Sequence, residues 1–374
     1  MASIIINNYN YGRFLNEAID SALRQTYPNT EVIVVDDGST DDSRERIESY
    51  GDQIIAVLKE NGGQTSTFNT GFRMSQGGVI IFLDSDDALL PTAVAKAVEL
   101  CLEVDVVKVH WPLWVVDTYS RKTGDLKPPH VVPEGDLRDA VVRDGPDSPA
   151  WPPTSGNAWK RGFLERVFPM PEMEKACEVG SASADAYLSM LAPLFGRIKR
   201  ILEPQGFYRI HGENDHSAMP FDERLERDLR LFDYRSASLS EHCRTIGINV
   251  DPERWKRNSW FHRLRLATQD IAALIPAGDD FILVDDGAWR MDVKAGRRPI
   301  PFLERDGQYW GLPPDDETAV RELERLRQAG AGYVVFAWPA FWWLDYYARL
   351  HHHLRSRFRC VLENDRIVVF NLQP

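Results

Sequence analysis

The feature that most restricts this chain is the run Val79-Ile80-Ile81-Phe82-Leu83, which stops abruptly at Asp84-Ser85-Asp86-Asp87. An unbroken apolar run of this length reads as a strand buried on both faces of a parallel sheet. Such a strand needs helices above and below it, so the chain around it must alternate between the two. It does so. Residues 3–6, 31–35 and 54–58 read as further strands, and Leu15, Ala18, Ile19, Ala22 and Leu23 mark one face of a helix. Asp41 or Asp42 can cap a second helix running through Ile47, and a third spans about residues 65–74. The fold class is therefore α/β, built from βαβ units.

Carboxylates gather where two of these strands end: Asp84, Asp86 and Asp87 after one, Asp36 and Asp37 after another. Ligands of open α/β sheets bind outside the carboxyl ends of strands. Closely spaced carboxylates repel one another, and a hard divalent cation, Mg²⁺ or Mn²⁺, neutralises them while keeping positions open for phosphate oxygens. Each acidic turn taken alone also reads as a solvated helix cap. Their pairing in one sheet, with Asn8-Tyr9-Asn10-Tyr11 after the first strand, favours a nucleotide site. A carboxylate can accept the N3–H of a uracil-type base, while amides and aromatic rings suit base recognition and stacking.

Farther on, residues 117–153 are rich in Pro, Gly and charge and read as a long irregular excursion leading into the loop Pro152-Pro153-Thr154-Ser155-Gly156-Asn157. Residues 220–275 read as a charged helical connection without strand candidates. Strands at 281–284, 333–336 and 366–370, with helices near 317–329 and 341–358, make a second, smaller α/β unit. The expected division is thus 1–219, 220–275 and 276–374. The aromatic stretch Phe336-Ala337-Trp338-Pro339-Ala340-Phe341-Trp342-Trp343 offers so much apolar area that burial is expected. Asp285-Asp286-Gly287 repeats the acidic turn without a neighbouring acidic cluster, so no second site of the same kind is expected. His351-His352-His353 falls inside a helix, where consecutive side chains fan around the axis, and reads as a polar face.

A net charge of −12 argues against an extended nucleic-acid groove. No apolar run approaches the ~20 residues of a membrane span, and the first residues lack a signal-peptide pattern. Cys101, Cys177, Cys243 and Cys360 lie far apart without CxxC spacing, as reduced thiols do. A soluble cytoplasmic protein is expected, with peripheral membrane contact and self-association left open.

The segments INNYNYGRFLNEAIDSALRQTYPNTEVIVVDDGSTDDS, NGGQTSTFNTGF and FLDSDDALLP resemble, in this order and spacing, the inverting glycosyltransferase family 2 with its GT-A fold. The resemblance covers roughly the first hundred residues. It implies a metal-dependent, inverting transferase that moves a sugar from a nucleoside-diphosphate-sugar, UDP-sugar favoured, to a hydroxyl of a carbohydrate or glycolipid acceptor, in polysaccharide or glycoconjugate synthesis. It implies that Asn8, Tyr9, Gln64 and Asp36 or Asp37 bind the nucleotide, that Asp84 meets the ribose or metal, and that Asp86 holds the divalent cation, Mn²⁺ or Mg²⁺. Which aspartate of each pair does which job stays open. Ser155-Gly156-Asn157 resembles the region that meets the donor sugar. The family base often lies in a Glu-Asp pair at the start of a helix; here Ala184 stands where the Glu would be, which leaves Asp185 as the candidate base. Tyr208-Arg209-Ile210-His211-Gly212 resembles the segment ending the catalytic domain, where His211 would approach the metal or diphosphate. The departure at Ala184 keeps a second reading open, a catalytically degenerate GT-A fold used as a carbohydrate-binding or scaffold module. A nucleotide-sugar phosphorylase or nucleotidyltransferase is disfavoured, because no Gly-rich basic signature stands at the first strand-to-helix turn.

Overall fold

The computed structural model describes residues 1–148, 150–172, 184–212, 220–289 and 296–373. The chain forms two compact units, residues 1–219 with 230–255, and residues 220–229 with 256–374.

The first unit begins β1 (Ala2–Asn8), α1 (Gly12–Leu23), β2 (Thr30–Asp36), α2 (Ser43–Glu48), β3 (Ile55–Leu58), α3 (Gly63–Met74), β4 (Val79–Asp84), β5 (Ala88–Leu89), α4 (Ala93–Cys101) and β6 (Val106–His110). It continues β7 (Leu113–Val116), β8 (Lys122–Lys127), α5 (Arg138–Asp144), β9 (Asn157–Lys160), α6 (Arg161–Val167), α7 (Ala184–Phe195), β10 (Arg197–Arg200) and β11 (Gly206–Arg209). A seven-stranded sheet has the order β10-β6-β9-β4-β1-β2-β3. Its pairings are parallel except for β9, which runs antiparallel to both β4 and β6. A four-stranded sheet, β5-β11-β7-β8, is built from strands interleaved with these along the chain. Residues 117–153, expected to be irregular, contain β8 and α5. The strand β8 escaped the sequence reading because it is an exposed edge with almost no buried side chain to mark a period.

Alternation along the central strands explains the two cores. Ile4, Ile6, Val32, Val34, Ile81 and Leu83 pack on one face with Leu15 and Ile19 of α1 and Val94 and Ala97 of α4. Ile5, Ile33, Val35, Ile80 and Phe82 pack on the other with Phe68 of α3 and Leu188 and Leu191 of α7. Both faces are covered, as the unbroken apolar runs required. The helix α3 lies so close to β1 that a Cβ built on Gly71 would sit 2.3 Å from Ile5 Cγ2. Gly71→Ala should therefore destabilise the unit by about 1–3 kcal/mol through overpacking, although alanine by itself favours a helix by about 1 kcal/mol over glycine. Urea unfolding of the two proteins checks this: equal or greater stability of the variant would show that α3 can move away.

The helices α8 (Phe221–Thr245), α9 (Pro252–Asn258) and α10 (Trp260–Leu274) follow β11 and precede the next strand along the chain. They do not form a body of their own. Phe232, Leu239 and Cys243 of α8 and Trp255 of α9 belong to the core of the first unit, and the Trp255 indole donates to the Val142 carbonyl at 3.0 Å. Leu225 and Leu229 of α8 and Leu264 and Ile271 of α10 belong to the core of the second.

The second unit contains β12 (Asp280–Val284), β13 (Arg298–Pro301), β14 (Glu304–Arg305), β15 (Gln308–Tyr309), α11 (Asp316–Gln328), β16 (Tyr333–Ala337), α12 (Trp342–Tyr346), α13 (Ala348–Arg357), β17 (Arg359–Glu363) and β18 (Ile367–Asn371). Its five-stranded sheet has the order β13-β12-β16-β18-β17. The expected burial of the aromatic stretch is met by Phe336 and Trp343 but not by Trp342, which is 39% exposed. The reason is that Trp342 and Trp343 open α12, where neighbouring residues point to different sides. The three consecutive histidines fan out along α13: His351 Nδ1 lies 2.9 Å from the Leu344 carbonyl and His353 Nε2 2.7 Å from Glu324, while His352 is exposed. Among the described residues no helix is long and apolar enough to cross a membrane.

Candidate active site

Strand register builds the site. Pairing of β1 with β2 sets Asn8 opposite Asp36, and pairing of β1 with β4 sets Asn7 opposite Asp84. Asn7 Nδ2 donates to Asp84 Oδ1 at 2.8 Å, while Asn8 Nδ2 donates to Asp36 Oδ1 at 2.9 Å and to Ser39 Oγ at 3.1 Å. Two adjacent asparagines thus hold the two acidic strand ends. Their Oδ1 atoms are buried without a partner among the described residues, an arrangement that favours a donor-bearing ligand. Tyr9, the next residue, is 49% exposed.

The two aspartates after β2 do different things. Asp37 accepts from the backbone N–H groups of Gly62 and Gly63 at 2.9 and 2.7 Å and pairs with Lys59. Both its oxygens are committed to the N-terminus of α3. Asp36 is buried and accepts from the Ser39 N–H and from Arg44 Nε, each at 3.1 Å. Gly38, at φ 82°, turns the chain directly after them so tightly that a Cβ would come within 2.8 Å of the Asn61 nitrogen.

The turn after β4 is equally differentiated. Asp87 is buried. One of its oxygens accepts from Ser155 Oγ at 2.6 Å, the other from the Arg209 N–H at 3.0 Å. Ser155 Oγ in turn accepts from the Asp84 N–H at 3.2 Å. Burial, reinforced by the charges of Asp86 and Asp84, pushes the Asp87 carboxyl well above the usual carboxylate range. Burial likewise raises Asp84 to about 7, with Asp86 and Asp185 adding repulsion and the Asn7 hydrogen bond opposing it. The folded protein therefore holds a proton on Asp84 that the unfolded chain has already released above its ordinary value of 3.8. By linkage, the stability of the metal-free protein should fall as pH rises between about 4 and about 7. Asp84→Asn should reduce that slope, leaving the part that Asp87, raised in the same direction, contributes. Thermal unfolding of both proteins across this range without metal checks it, and parallel profiles would remove Asp84 as the cause.

Asp86, half-buried like Asp84, meets the segment that follows β11. Its Oδ2 lies 3.1 Å from His211 Nε2, with the two side chains 14% and 0% exposed. The imidazole is held among Tyr11, Phe14 and Arg13: ring centroids lie 5.2 and 5.1 Å away, and Arg13 Nη2 is 3.4 Å from His211 Nδ1. Arg209 supports the same turn, donating through Nε to the Asp86 carbonyl at 2.7 Å and through Nη2 to Glu17 at 2.6 Å. Among the described residues no group of three or more His, Cys, Asp or Glu side chains converges as a metal cage. A carboxylate–imidazole pair nevertheless fits a divalent ion that completes its shell with phosphate oxygens and water.

The helix α7 carries Asp185 in its first turn; residues 181–183 of the same stretch lie outside the described residues. Gln64 joins this turn to the acidic cluster. Its Oε1 accepts from the Ala184 N–H at 3.2 Å and its Nε2 donates to Asp84 Oδ1 at 3.4 Å. Asp185 and Asp84 thus act on one another's charge. The donor-sugar candidates Ser155, Gly156 and Asn157 are buried. Gly156 has no room for a Cβ, which would lie 2.6 Å from Pro152 and 2.8 Å from the Trp111 carbonyl. Asn157 Nδ2 donates to the carbonyls of Pro152, Pro153 and Thr154 at 3.3, 2.7 and 3.3 Å and so fixes the loop.

Sequence reasoning missed Asn7, Arg209 and Lys108. Lys108 is fully buried in β6, donates to Ser189 Oγ of α7 at 2.8 Å, and sits 4.3 and 4.8 Å from the ring centroids of Trp151 and Trp159. Burial holds its ammonium well below the usual lysine range, with Asp185 opposing the shift. A lysine interrupting the apolar strand Val106–His110 was the available signal.

Residues 3–140 match the family described as glycosyl transferase family 2. The chain is similar to an uncharacterized glycosyltransferase of Nostoc sp., 37% identical over 218 residues, 57% of this chain and 66% of that protein. It is also similar to one of Rickettsia prowazekii, 42% identical over 130 residues, 34% of this chain and 41% of that protein. The chain therefore spans from 41% to 66% of the length of these relatives. Among solved structures it is similar to S. aureus TarS 1–349 in complex with UDP, with a TM-score of 0.48 and 14% identity over 98% of this chain and 95% of that one. With the family match running from β1 into α5 and the acidic ends of β2 and β4 inside it, the chain belongs to glycosyltransferase family 2.

Proposed function

We propose that this chain is a divalent-metal-dependent, inverting glycosyltransferase that moves a sugar from a nucleoside-diphosphate-sugar, UDP-sugar favoured, to a hydroxyl of a carbohydrate or glycolipid acceptor. The observation that carries this reading is the joining of Asp84, Gln64 and the first turn of α7 at the carboxyl ends of parallel strands, beside the Asp86–His211 pair. With Asp37 committed to α3, the base-facing role goes to Asn8 and Asp36, and Tyr9 offers a ring for stacking. Asp84 faces the ribose. Asp86 and His211 hold the divalent ion, Mn²⁺ or Mg²⁺. Bound there, the ion supplies positive charge against the charge developing on the departing nucleoside diphosphate. Asp185 takes the proton of the acceptor hydroxyl as its oxygen attacks the anomeric carbon from the face opposite the leaving group. The loop of Ser155, Gly156 and Asn157 lines the donor-sugar side. Residues 276–374 carry acceptor positioning or assembly.

A thermal-shift screen of UDP-, GDP- and ADP-sugars with and without Mn²⁺ tests the reading. A UDP-sugar should raise the unfolding temperature, and more so with Mn²⁺; a ligand at a hundred times its Kd adds about 2.7 kcal/mol of stability. Absence of any shift with every nucleotide-sugar would sink it in favour of a degenerate fold.

A further inference from the structure

The sheet of the second unit changes its direction of winding at β12. The chain passes from β12 to β13 on one side, then returns across β12 through α11 to β16 on the other, all three strands parallel. At such a switch the connections leaving the two central strands diverge and open a crevice at their carboxyl ends. Asp285-Asp286-Gly287 leaves β12 on one side of this place, and the chain from Trp338 onward leaves β16 on the other. Asp285 is consumed locally, accepting from the backbone of Gly287 at 3.0 Å and of Trp289 at 2.8 Å. Asp286 reaches across instead, accepting from the indole Nε1 of Trp342 on Oδ2 and of Trp343 on Oδ1, each at 2.8 Å.

The aromatic residues here are unequal in burial. Trp343 is fully buried, whereas Trp342 is 39% and Tyr346 70% exposed, with their ring centroids 5.7 Å apart and edge-on. Tyr347 packs against both and anchors itself by donating its hydroxyl to the Pro313 carbonyl at 2.8 Å. Tyr309 closes the β12 side, its ring so near Gly287 that a Cβ there would lie 3.3 Å from it. Burial, with Asp286 and Asp285 contributing, pushes the Tyr309 phenol up to about 12, so it remains a neutral hydroxyl. The core of this unit gains nothing from the exposed ring faces, and exposed aromatic clusters beside a fixed polar group mark binding sites.

We propose that the surface carrying Trp342, Tyr346, Asp286 and Tyr309 is a second binding site, for an uncharged pyranoside. The C–H face of a pyranose ring packs on the Trp342 and Tyr346 rings. Its hydroxyls donate to the two lone-pair positions that the indoles leave free on Asp286 and exchange hydrogen bonds with Tyr309. The fixed charges of Asp285 and Asp286 oppose phosphorylated ligands, which separates this site from a nucleotide pocket. The inference concerns the second unit alone and does not depend on the donor chemistry of the first.

The test uses the full chain without nucleotide, titrated with hexasaccharides of α-1,4-glucose, β-1,4-glucose, β-1,4-mannose and β-1,4-N-acetylglucosamine. Binding is followed by tryptophan fluorescence and by saturation transfer to the sugar protons. At least one hexasaccharide should bind. Trp342→Ala and Tyr346→Ala should each weaken it by roughly tenfold, and Trp342→Phe should recover most of the loss. Unchanged far-UV circular dichroism of the variants excludes misfolding as the cause. No binding across the panel, equal binding by Trp342→Ala, or displacement of the sugar by UDP alone would overturn the proposal.

Discussion

Asp185→Asn should lower sugar transfer by roughly 10²-fold or more while leaving donor affinity close to that of the wild type. The carboxamide preserves shape but cannot take the acceptor proton. The position of Asp185 in the first turn of α7, whose Ala184 N–H donates to Gln64, makes it part of the same charged ensemble as Asp84. Removing its charge removes one contribution that raises the Asp84 carboxyl. Donor binding should therefore be unharmed or slightly improved. Initial rates at saturating donor, set against UDP-sugar affinity from calorimetry, separate the two effects. Transfer at the wild-type rate would take proton abstraction away from this residue.

Asp86→Ala should abolish the Mn²⁺-dependent part of nucleotide affinity, a loss of about 10²-fold or more, since even partners outside the metal's own ligand set are worth 10–100-fold. It should do so without unfolding the protein. The charge of Asp86 raises both Asp84 and Asp87, so its removal relieves repulsion inside the turn. The metal-free variant should unfold at a temperature no lower than the wild type above pH 7, a result opposite in sign to that of a residue needed for folding. Calorimetric titration of UDP with and without Mn²⁺ is the decisive measurement. If the Mn²⁺ dependence survives, the ion is held elsewhere.

How far the sequence revealed this molecule depended on where side chains pointed. The runs that became β1, β2 and β4 were legible because both faces of each are buried, and the acidic residues at the ends of β2 and β4 marked the site. By contrast β9, Asn157–Lys160, inserts antiparallel between β4 and β6 with too few apolar residues to announce a strand. Asn7 lay inside a readable strand, yet its bond to Asp84 depends on register, which no local pattern encodes. Within the cluster Asp84, Asp86 and Asp87 the sequence left the division of jobs open, and long-range partners distinguish its members: Ser155 and Arg209 occupy Asp87, and His211 meets Asp86. The aromatic stretch was half legible for a related reason, because a helix start sends Trp342 and Trp343 in different directions.

The helix α8 bears on the order in which the chain folds during synthesis. Phe232, Leu239, Cys243 and Trp255 complete the core of the first unit, yet they emerge from the ribosome after residues 220–229, which belong to the second. A nascent chain that has reached residue 219 already contains the candidate donor-site residues, yet one wall of its apolar interior still lacks these four side chains. Closure of that interior must wait until Trp255 has cleared the exit tunnel, and in the interval the uncovered surface is open to chaperones or to aggregation. Arrest-peptide force profiles along the coding sequence should therefore register folding of the first unit only once residues beyond 255 are exposed.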